Sequence, residues 1–308
     1  MNCRQKTDFV WKEKRKNKMK TVRKAYAKIN LTLEILDRRP DGYHNIRSVM
    51  QKIDLCDTLS FEKAPEGKIF LTCDKAVCAP EDNLAYRAAE LYRARFMKKT
   101  GRGLGLSIAI EKKIPDRAGL AGGSADAAAV LDYLFETEGG LSYDEVEEIA
   151  AMLGSDINFC LDRYRCALCT DRGIKLEPIS PLCGVHIVLS VPDAGLKTPD
   201  VYAAFDASPV LFADNPSEKV KTALESGQNE ELFPSVKNAF TPICRTLCPE
   251  IGTLLSRMRS FSPKAAEMSG SGSAVFGLFT DAAAAQDAYR ALLPLYPKTF
   301  SAKALSNE

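Results

Sequence analysis

The sequence predicts an α+β fold, and three observations carry that expectation. Apolar and polar residues alternate through positions 22–36; a glycine-rich loop at 119–124 runs straight into an alanine-rich helix; and beyond residue 156 strands and helices follow one another without the regular β–α alternation of a doubly wound sheet. A chain of 308 residues with 45% hydrophobic content has enough apolar material for a substantial core, in one large domain or two modest ones.

In the first element Ala27, Ile29, Leu31, Leu33 and Ile35 fall on one side, and Lys28, Asn30, Thr32 and Glu34 on the other, as in a half-buried strand. Period two therefore sets Lys28 and Asn30 side by side on one face, where both can meet a single ligand. Pro40-Asp41-Gly42 marks a turn, and positions 46–61 return as strand. Asp82 and Asn83 are the cap residues of a helix reaching about residue 97, with Leu84, Ala88, Leu91 and Tyr92 on its buried stripe.

Positions 104–110 form a strand entering the glycine loop, whose helix runs to about residue 136. Ser142 and Glu145 have the spacing of a capping box, for a helix that ends at Gly154 as its C′ glycine. Further strands are expected at 167–176 and 185–191, and helices at 200–205, 216–225, 238–246 and 250–259. Strands at 264–268 and 274–279 bracket a second glycine turn, Gly270-Ser271-Gly272, before a closing helix at 281–293.

Bulk properties exclude several functions. No apolar run approaches the roughly 20 residues of a membrane span, and the start lacks a secretory signal, so a cytoplasmic setting is expected. Net charge is only +2, which gives the body of the chain no electrostatic case for nucleic acid. Positions 1–20 hold eight basic and two acidic residues. We expect residues 1–18 to be a disordered, dispensable extension; a nucleic-acid or membrane-surface arm is the alternative. The ten cysteines lack the paired CxxC spacing of a zinc site, because Cys166 and Cys169 stand alone in a strand-like run. They are read as reduced, buried small hydrophobes, and His186 as a satisfied core histidine.

The most telling stretch is Ile114 to Ala129. Glycines let main-chain N–H groups approach a phosphate, and the following helix start adds unpaired donors and the positive end of its dipole. Tight packing alone is the other reading of such a loop. No GxxxxGK[ST] pattern occurs, so a nucleotide must be held by something other than the Walker loop. Lys28 lies mid-strand among apolar neighbours, an expensive place for an ammonium without a partner. It is either functional or half of a structural ion pair. Asp156 projects from a helix end, as a base or as a cap. Tyr43-His44 follows a glycine turn, as a binding pair or as ordinary loop surface.

These segments together resemble the GHMP kinases, a superfamily of small-molecule kinases. The likeness rests on AYAKINL at 25–31, RRPDGYH at 38–44, the glycine loop, LGSDINF at 153–159 and MSGSG at 268–272, and its order and spacing agree from about residue 19 to 300. Within the superfamily they are similar to the branch that phosphorylates the 2-hydroxyl of a cytidine-diphosphate-linked polyol in non-mevalonate isoprenoid precursor synthesis.

The resemblance implies the two-domain GHMP kinase fold, with an ATP-binding domain at 19–163 and a second domain at 164–308. It implies ATP with Mg²⁺, a small cytidine-diphosphate substrate, and neither a nucleic-acid nor a membrane partner. Asp156 would take or orient the hydroxyl proton while Lys28 holds hydroxyl and carboxylate in register. Asn30, Tyr43, His44 and Thr198 would contact substrate, with Tyr43 stacking on cytosine and His44 hydrogen-bonding to it. Asn83, Lys112, Pro115, Gly119, Leu120, Ala121, Gly122, Gly123, Ser124 and Ala125 would line the ATP site, and Gly270, Ser271 and Gly272 would close on the ligands from the second domain.

The chain departs from the usual pattern at Ala125, where a second serine is common, and at Asn158 and Ser273, where proline is common; the Asp171–Ile174 turn also differs. Loss of a hydroxyl at 125 leaves Ser124 as the oxygen nearer phosphate or Mg²⁺. A homoserine or mevalonate type of kinase is the nearest rival, and Tyr43-His44 argues against it. A non-catalytic nucleotide-binding regulator is a second rival, and intact Lys28 and Asp156 argue against that.

Overall fold

In the computed structural model the described residues are 20–75 and 78–306. The basic leader at 1–18 lies outside them. The chain opens with β1 (Thr21–Asn30), β2 (Thr32–Arg38), the long β3 (His44–Lys63) and β4 (Ile69–Cys73), then α1 (Leu84–Thr100), β5 (Leu106–Glu111), α2 (Gly122–Glu138), α3 (Tyr143–Leu153) and the single turn α4 (Ile157–Cys160). It continues through β6 (Cys166–Thr170), β7 (Lys175–Pro178), β8 (His186–Val191), α5 (Thr198–Ala207), α6 (Pro216–Ser226), α7 (Asn229–Leu232), β9 (Lys237–Asn238), α8 (Thr241–Leu247) and α9 (Pro249–Arg259). Strands β10 (Ala265–Met268) and β11 (Val275–Phe279), helix α10 (Ala282–Leu292) and β12 (Lys298–Lys303) complete it.

Two sheets organise these elements. An eight-stranded sheet is built around β3, which pairs antiparallel with β1, β2, β5 and β6; β10-β11-β8-β12 form a four-stranded antiparallel sheet. Helices α1, α2 and α3 pack on the large sheet through Tyr92, Phe96, Leu131 and Val146, against Ile29, Leu59 and Ile108. A second core joins the small sheet to α5, α8, α9 and α10, and it takes in Leu33 and Ile35 of β2. The mixed, non-alternating architecture is the expected α+β class. The domain division expected near residue 163 falls just before the β6–β7 hairpin, whose first strand still pairs with β3 of the large sheet.

Local details follow sequence chemistry, with corrections. The first strand was expected to be half-buried, but residues 27–35 are buried on both faces. Its apolar face joins the core, while its polar face is covered by the glycine loops and α4. Asn83 is the cap of α1, its Oδ1 accepting from Ala85 N at 2.9 Å, whereas Asp82 belongs to a preceding 3₁₀ turn. The Ser142–Glu145 capping box forms with both reciprocal bonds. Gly154 ends α3 with φ 176°, an extended geometry open to any residue, so the C′ glycine reading does not hold. The strand expected at 167–176 is a hairpin, because Asp171 with φ 61° and Gly173 reverse the chain. His186 is half-buried at the start of β8 and is not a core residue. Among the described residues five cysteines are buried, including Cys166 and Cys169, whose thiols burial pushes well up, but Cys56 and Cys73 are half-buried and Cys78 and Cys183 exposed, so the buried reading holds only for part of them.

Candidate active site

A cavity of about 1090 Å³ lies between the two cores, and the sequence motifs converge on it. Lys28 and Asn30 reach it from β1, Tyr43 from the turn before β3, His44 from the first position of β3, and Asp156 from the start of α4. Asn83, Lys112, Pro115 and residues 119–124 line one wall, and Thr198 with Gly270, Ser271 and Gly272 lines another. Of the site residues expected from sequence only Ala125 is not on the lining; it is 2% exposed and packs into the core, where a serine hydroxyl would need a buried partner.

Lys28 and Asp156 meet in this cavity although 128 positions separate them: Nζ stands 3.6 Å from Oδ2. Lys28 is 3% exposed, and its Nζ donates to Asn30 Oδ1 at 2.6 Å, the same-face pairing that period two predicts. Asn30 is itself fixed, donating through Nδ2 to Ser48 Oγ at 2.8 Å and through its main-chain N to Ser269 Oγ at 3.2 Å. The Asp156 side chain makes no cap bond to α4 and is one-third exposed toward the cavity. The ammonium is thus aimed at a carboxylate and an amide oxygen, with the carboxylate free to accept a further proton donor.

The two glycine loops touch behind this pair. Lys28 N donates to Leu120 O at 3.1 Å, Ala274 N to Ala118 O at 3.0 Å, and Ser269 Oγ to Gly119 O at 3.0 Å. Gly119 holds φ +75°, and a Cβ there would come within 2.1 Å of Ser269 O, so only glycine fits the crossing. Ala121, the residue before α2, is held at φ 57°, a strained value for a side chain with a Cβ. Ala121 thereby joins the loop to the start of α2 at the cavity wall, which residues 119–124 line. Asn238 Nδ2 supports the second loop by donating to Met268 O and Gly270 O, each at 2.8 Å.

Below the first loop lies a buried charge cluster. Lys112 Nζ bridges Asp57 Oδ2 at 2.5 Å and Asp126 Oδ2 at 2.6 Å, and Asp57 Oδ1 also accepts from Lys113 N and Ile114 N. Lys112 is therefore a buried, ion-paired lysine and not a solvated one. Burial pulls its pKa down, but the two carboxylates outweigh that and hold it raised. Burial pushes Asp126 up to about 7, with Lys112 opposing and the Asp57 charge adding to the rise.

At the far end His44 Nε2 is 2.7 Å from Asp206 Oδ1, and its ring stacks on Tyr202 with centroids 5.0 Å apart. A carboxylate accepts only, so Nε2 donates, and in the neutral imidazole Nδ1 is left as an acceptor. Tyr43 is exposed, with the Arg172 guanidinium 5.4 Å from its ring centroid. The departing 171–174 turn thus supports Tyr43: Asp171 pairs with Arg39, and its carbonyl accepts from Ile46 N. Thr198 Oγ1 lies 2.8 Å from Ser271 Oγ, tying α5 to the late glycine loop. Sequence reasoning missed Tyr202, Asp206 and Arg172; only i, i+4 spacing on α5 links the first two, and nothing local links them to His44. Asn158 and Ser273, the other departures, each bury a side-chain oxygen that has no partner among the described residues.

Known proteins place the chain. The model of the GHMP kinases N terminal domain matches residues 83–162, and that of the GHMP kinases C terminal domain matches 220–297. A 4-diphosphocytidyl-2-C-methyl-D-erythritol kinase from Listeria monocytogenes serotype 4a is 40% identical over 277 residues, 89% of this chain and 92% of its own length. The chain belongs to the 4-diphosphocytidyl-2-C-methyl-D-erythritol kinase family of GHMP kinases. Another member of this kinase family, from Bacillus pumilus, is 36% identical over 294 residues, 94% of this chain and 99% of its own. A crystal structure of 4-(cytidine 5'-diphospho)-2C-methyl-D-erythritol kinase superposes with TM-score 0.78 at 32% identity, covering 94% of this chain and all of that one. Homoserine kinase from Cytophaga hutchinsonii, at TM-score 0.65 and 14% identity, shares the fold. Among the described residues no helix is long and apolar enough to cross a membrane.

Proposed function

We propose that this chain transfers the γ-phosphoryl group of ATP to the 2-hydroxyl of 4-diphosphocytidyl-2-C-methyl-D-erythritol, a step in isoprenoid precursor synthesis. The observation that carries the reading is the convergence of Lys28 and Asp156, 3.6 Å apart, in the cavity lined by the glycine loop at one side and by Tyr43 and His44 at another. Phosphoryl transfer asks mainly for positioning and charge stabilisation, and each requirement has a residue here.

Main-chain N–H groups at 119–124 hold the donor phosphates. Asp156 accepts the proton of the 2-hydroxyl as its oxygen bonds to the γ-phosphorus and the bond from that phosphorus to the β–γ bridging oxygen breaks, releasing ADP. Lys28 neutralises charge that develops on the attacking oxygen and fixes Asp156 in register with it. At the other end Tyr43 and Tyr202 offer faces to a pyrimidine. His44, held by Asp206, presents Nδ1 to accept from the 4-amino group of cytosine. Uracil carries an acceptor at that position and leaves Nδ1 unpaired.

Among the described residues no cluster of three acidic, histidine or cysteine side chains forms a metal cage. Ser124 and Asp156, which line the same cavity, carry hard oxygen donors that suit Mg²⁺ carried in on nucleotide phosphates. When bound, Mg²⁺ would supply neutralisation of phosphate charge. A coupled assay of ADP release against 4-diphosphocytidyl-2-C-methyl-D-erythritol, homoserine and mevalonate tests the reading. Turnover is expected with the first alone, inhibited by cytidine nucleotides; turnover with either of the others instead would overturn it.

A further inference from the structure

Lys52 is an anomaly in the large sheet. It is 1% exposed, no carboxylate pairs with it among the described residues, and burial pushes its pKa down. A buried ammonium without a counter-ion costs several kcal/mol that an apolar residue of equal volume would avoid. Its Nζ instead donates to two main-chain carbonyls, Cys160 O at 2.9 Å and Leu161 O at 2.7 Å, with the Phe159 ring 5.9 Å away. Those carbonyls end α4, the single turn whose first residue follows Asp156.

The register of β1 and β3 makes this placement specific. Lys28 and Lys52 are direct partners across the antiparallel pair, so their side chains leave the same face of the sheet. Paired residues stand about 5 Å apart, close to the 5.4 Å rise of one helical turn. Lys28 therefore meets Asp156 at the start of the turn while Lys52 holds its end. A lone turn does not hold itself; α4 is closed by Cys160 N to Asp156 O and Leu161 N to Ile157 O, with Ile157 N donating back to Gly154 O at 3.3 Å. A third anchor comes from the phosphate-loop helix: Asp132 Oδ2 on α2 accepts from Asp162 N at 2.9 Å.

We propose that Lys52 is a positioning residue for phosphoryl transfer, fixing α4 and through it the Asp156 carboxylate. The inference rests on Asp156 being the base. Lys52→Met fills the same space without the donors, and the expected result is a kcat lowered about 10- to 100-fold. KM for ATP and for the cytidine substrate should stay within about twofold, since neither binding wall contacts Lys52. In an Asp156→Asn background the same substitution should cost less than about threefold, because the group it positions is already gone. Lys52→Arg, whose guanidinium can donate to the same carbonyls, should keep most of the activity.

A wild-type kcat in Lys52→Met, an equal fold loss in both backgrounds, or a loss confined to KM overturns the proposal. Wild-type kcat in Asp156→Asn alone removes the base assignment, a separate failure visible in the same series. Should Lys52→Met fail to fold by circular dichroism, Lys52→Arg against the shorter Lys52→Gln decides: retention with Arg and loss with Gln supports the role, and equal values overturn it.

Discussion

Replacing Gly119 by alanine tests whether contact between the two glycine loops sets the geometry of transfer. The added Cβ would sit 2.1 Å from Ser269 O and 3.2 Å from Gly272 N. An ordinary carbon–oxygen contact is about 3.3 Å, so one loop must retreat by roughly 1.2 Å. A displacement of about 1 Å in a positioning element costs on the order of 100-fold in rate, and the left-handed φ adds roughly 1 kcal/mol of strain. Gly67 separates the two effects: it has the same φ of +75°, nothing lies within 4 Å of its Cβ position, and it lies in a turn away from the cavity. Coupled ADP-release kinetics and thermal melts on both variants give the comparison. Gly67→Ala should lose about 1 kcal/mol of stability and keep kcat, whereas Gly119→Ala should lose both stability and about 100-fold in kcat. Equal kcat in the two variants would refute the reasoning.

Lys28→Met should lower kcat about 100- to 1000-fold with KM for ATP little changed, because the main-chain bond from Lys28 N to Leu120 O survives; steady-state kinetics check this. Asp206→Asn should raise KM for the cytidine substrate about tenfold and narrow its preference over the uridine analogue, measured by kcat/KM for each, since an amide can donate to His44 and free its tautomer. Burial raises Asp132 from 3.8 to about 7, so the folded chain binds that proton more tightly than the unfolded one. Its contribution is full below the unfolded value, declines with rising pH between the two values and is gone above about 7. Melting temperature should therefore fall less between about pH 5 and pH 8 in Asp132→Asn than in the wild type.

Much of this site is written locally. Alternation at 27–35 put Lys28 beside Asn30, small residues at 118–125 announced the tight turn into α2, and the Ser142–Glu145 spacing gave α3 its start. What the alternation did not tell is that both faces of the strand are covered, because the covering loops come from residues 118–124 and 269–274. Ala125 looked like part of the loop, yet it is already on the inner face of α2 and belongs to the core. Strands β4 and β12 escaped notice because β4 is only five residues long and β12 alternates with polar residues, and partners β5 and β8 hold them in place. Asp206 behind His44 and Lys52 behind Asp156 were invisible for the same reason: their meaning lies in contacts 162 and about 108 positions away in sequence.

The central claim is that a carboxylate and an ammonium from distant segments act on one hydroxyl in front of the glycine loop. Its most direct test is Asp156→Asn, assayed for ADP release while nucleotide and cytidine-substrate binding are measured by calorimetry. Binding of both ligands within about twofold of wild type, with kcat lower by about 100- to 10,000-fold, is the predicted result. ADP release at the wild-type rate from the variant would contradict it.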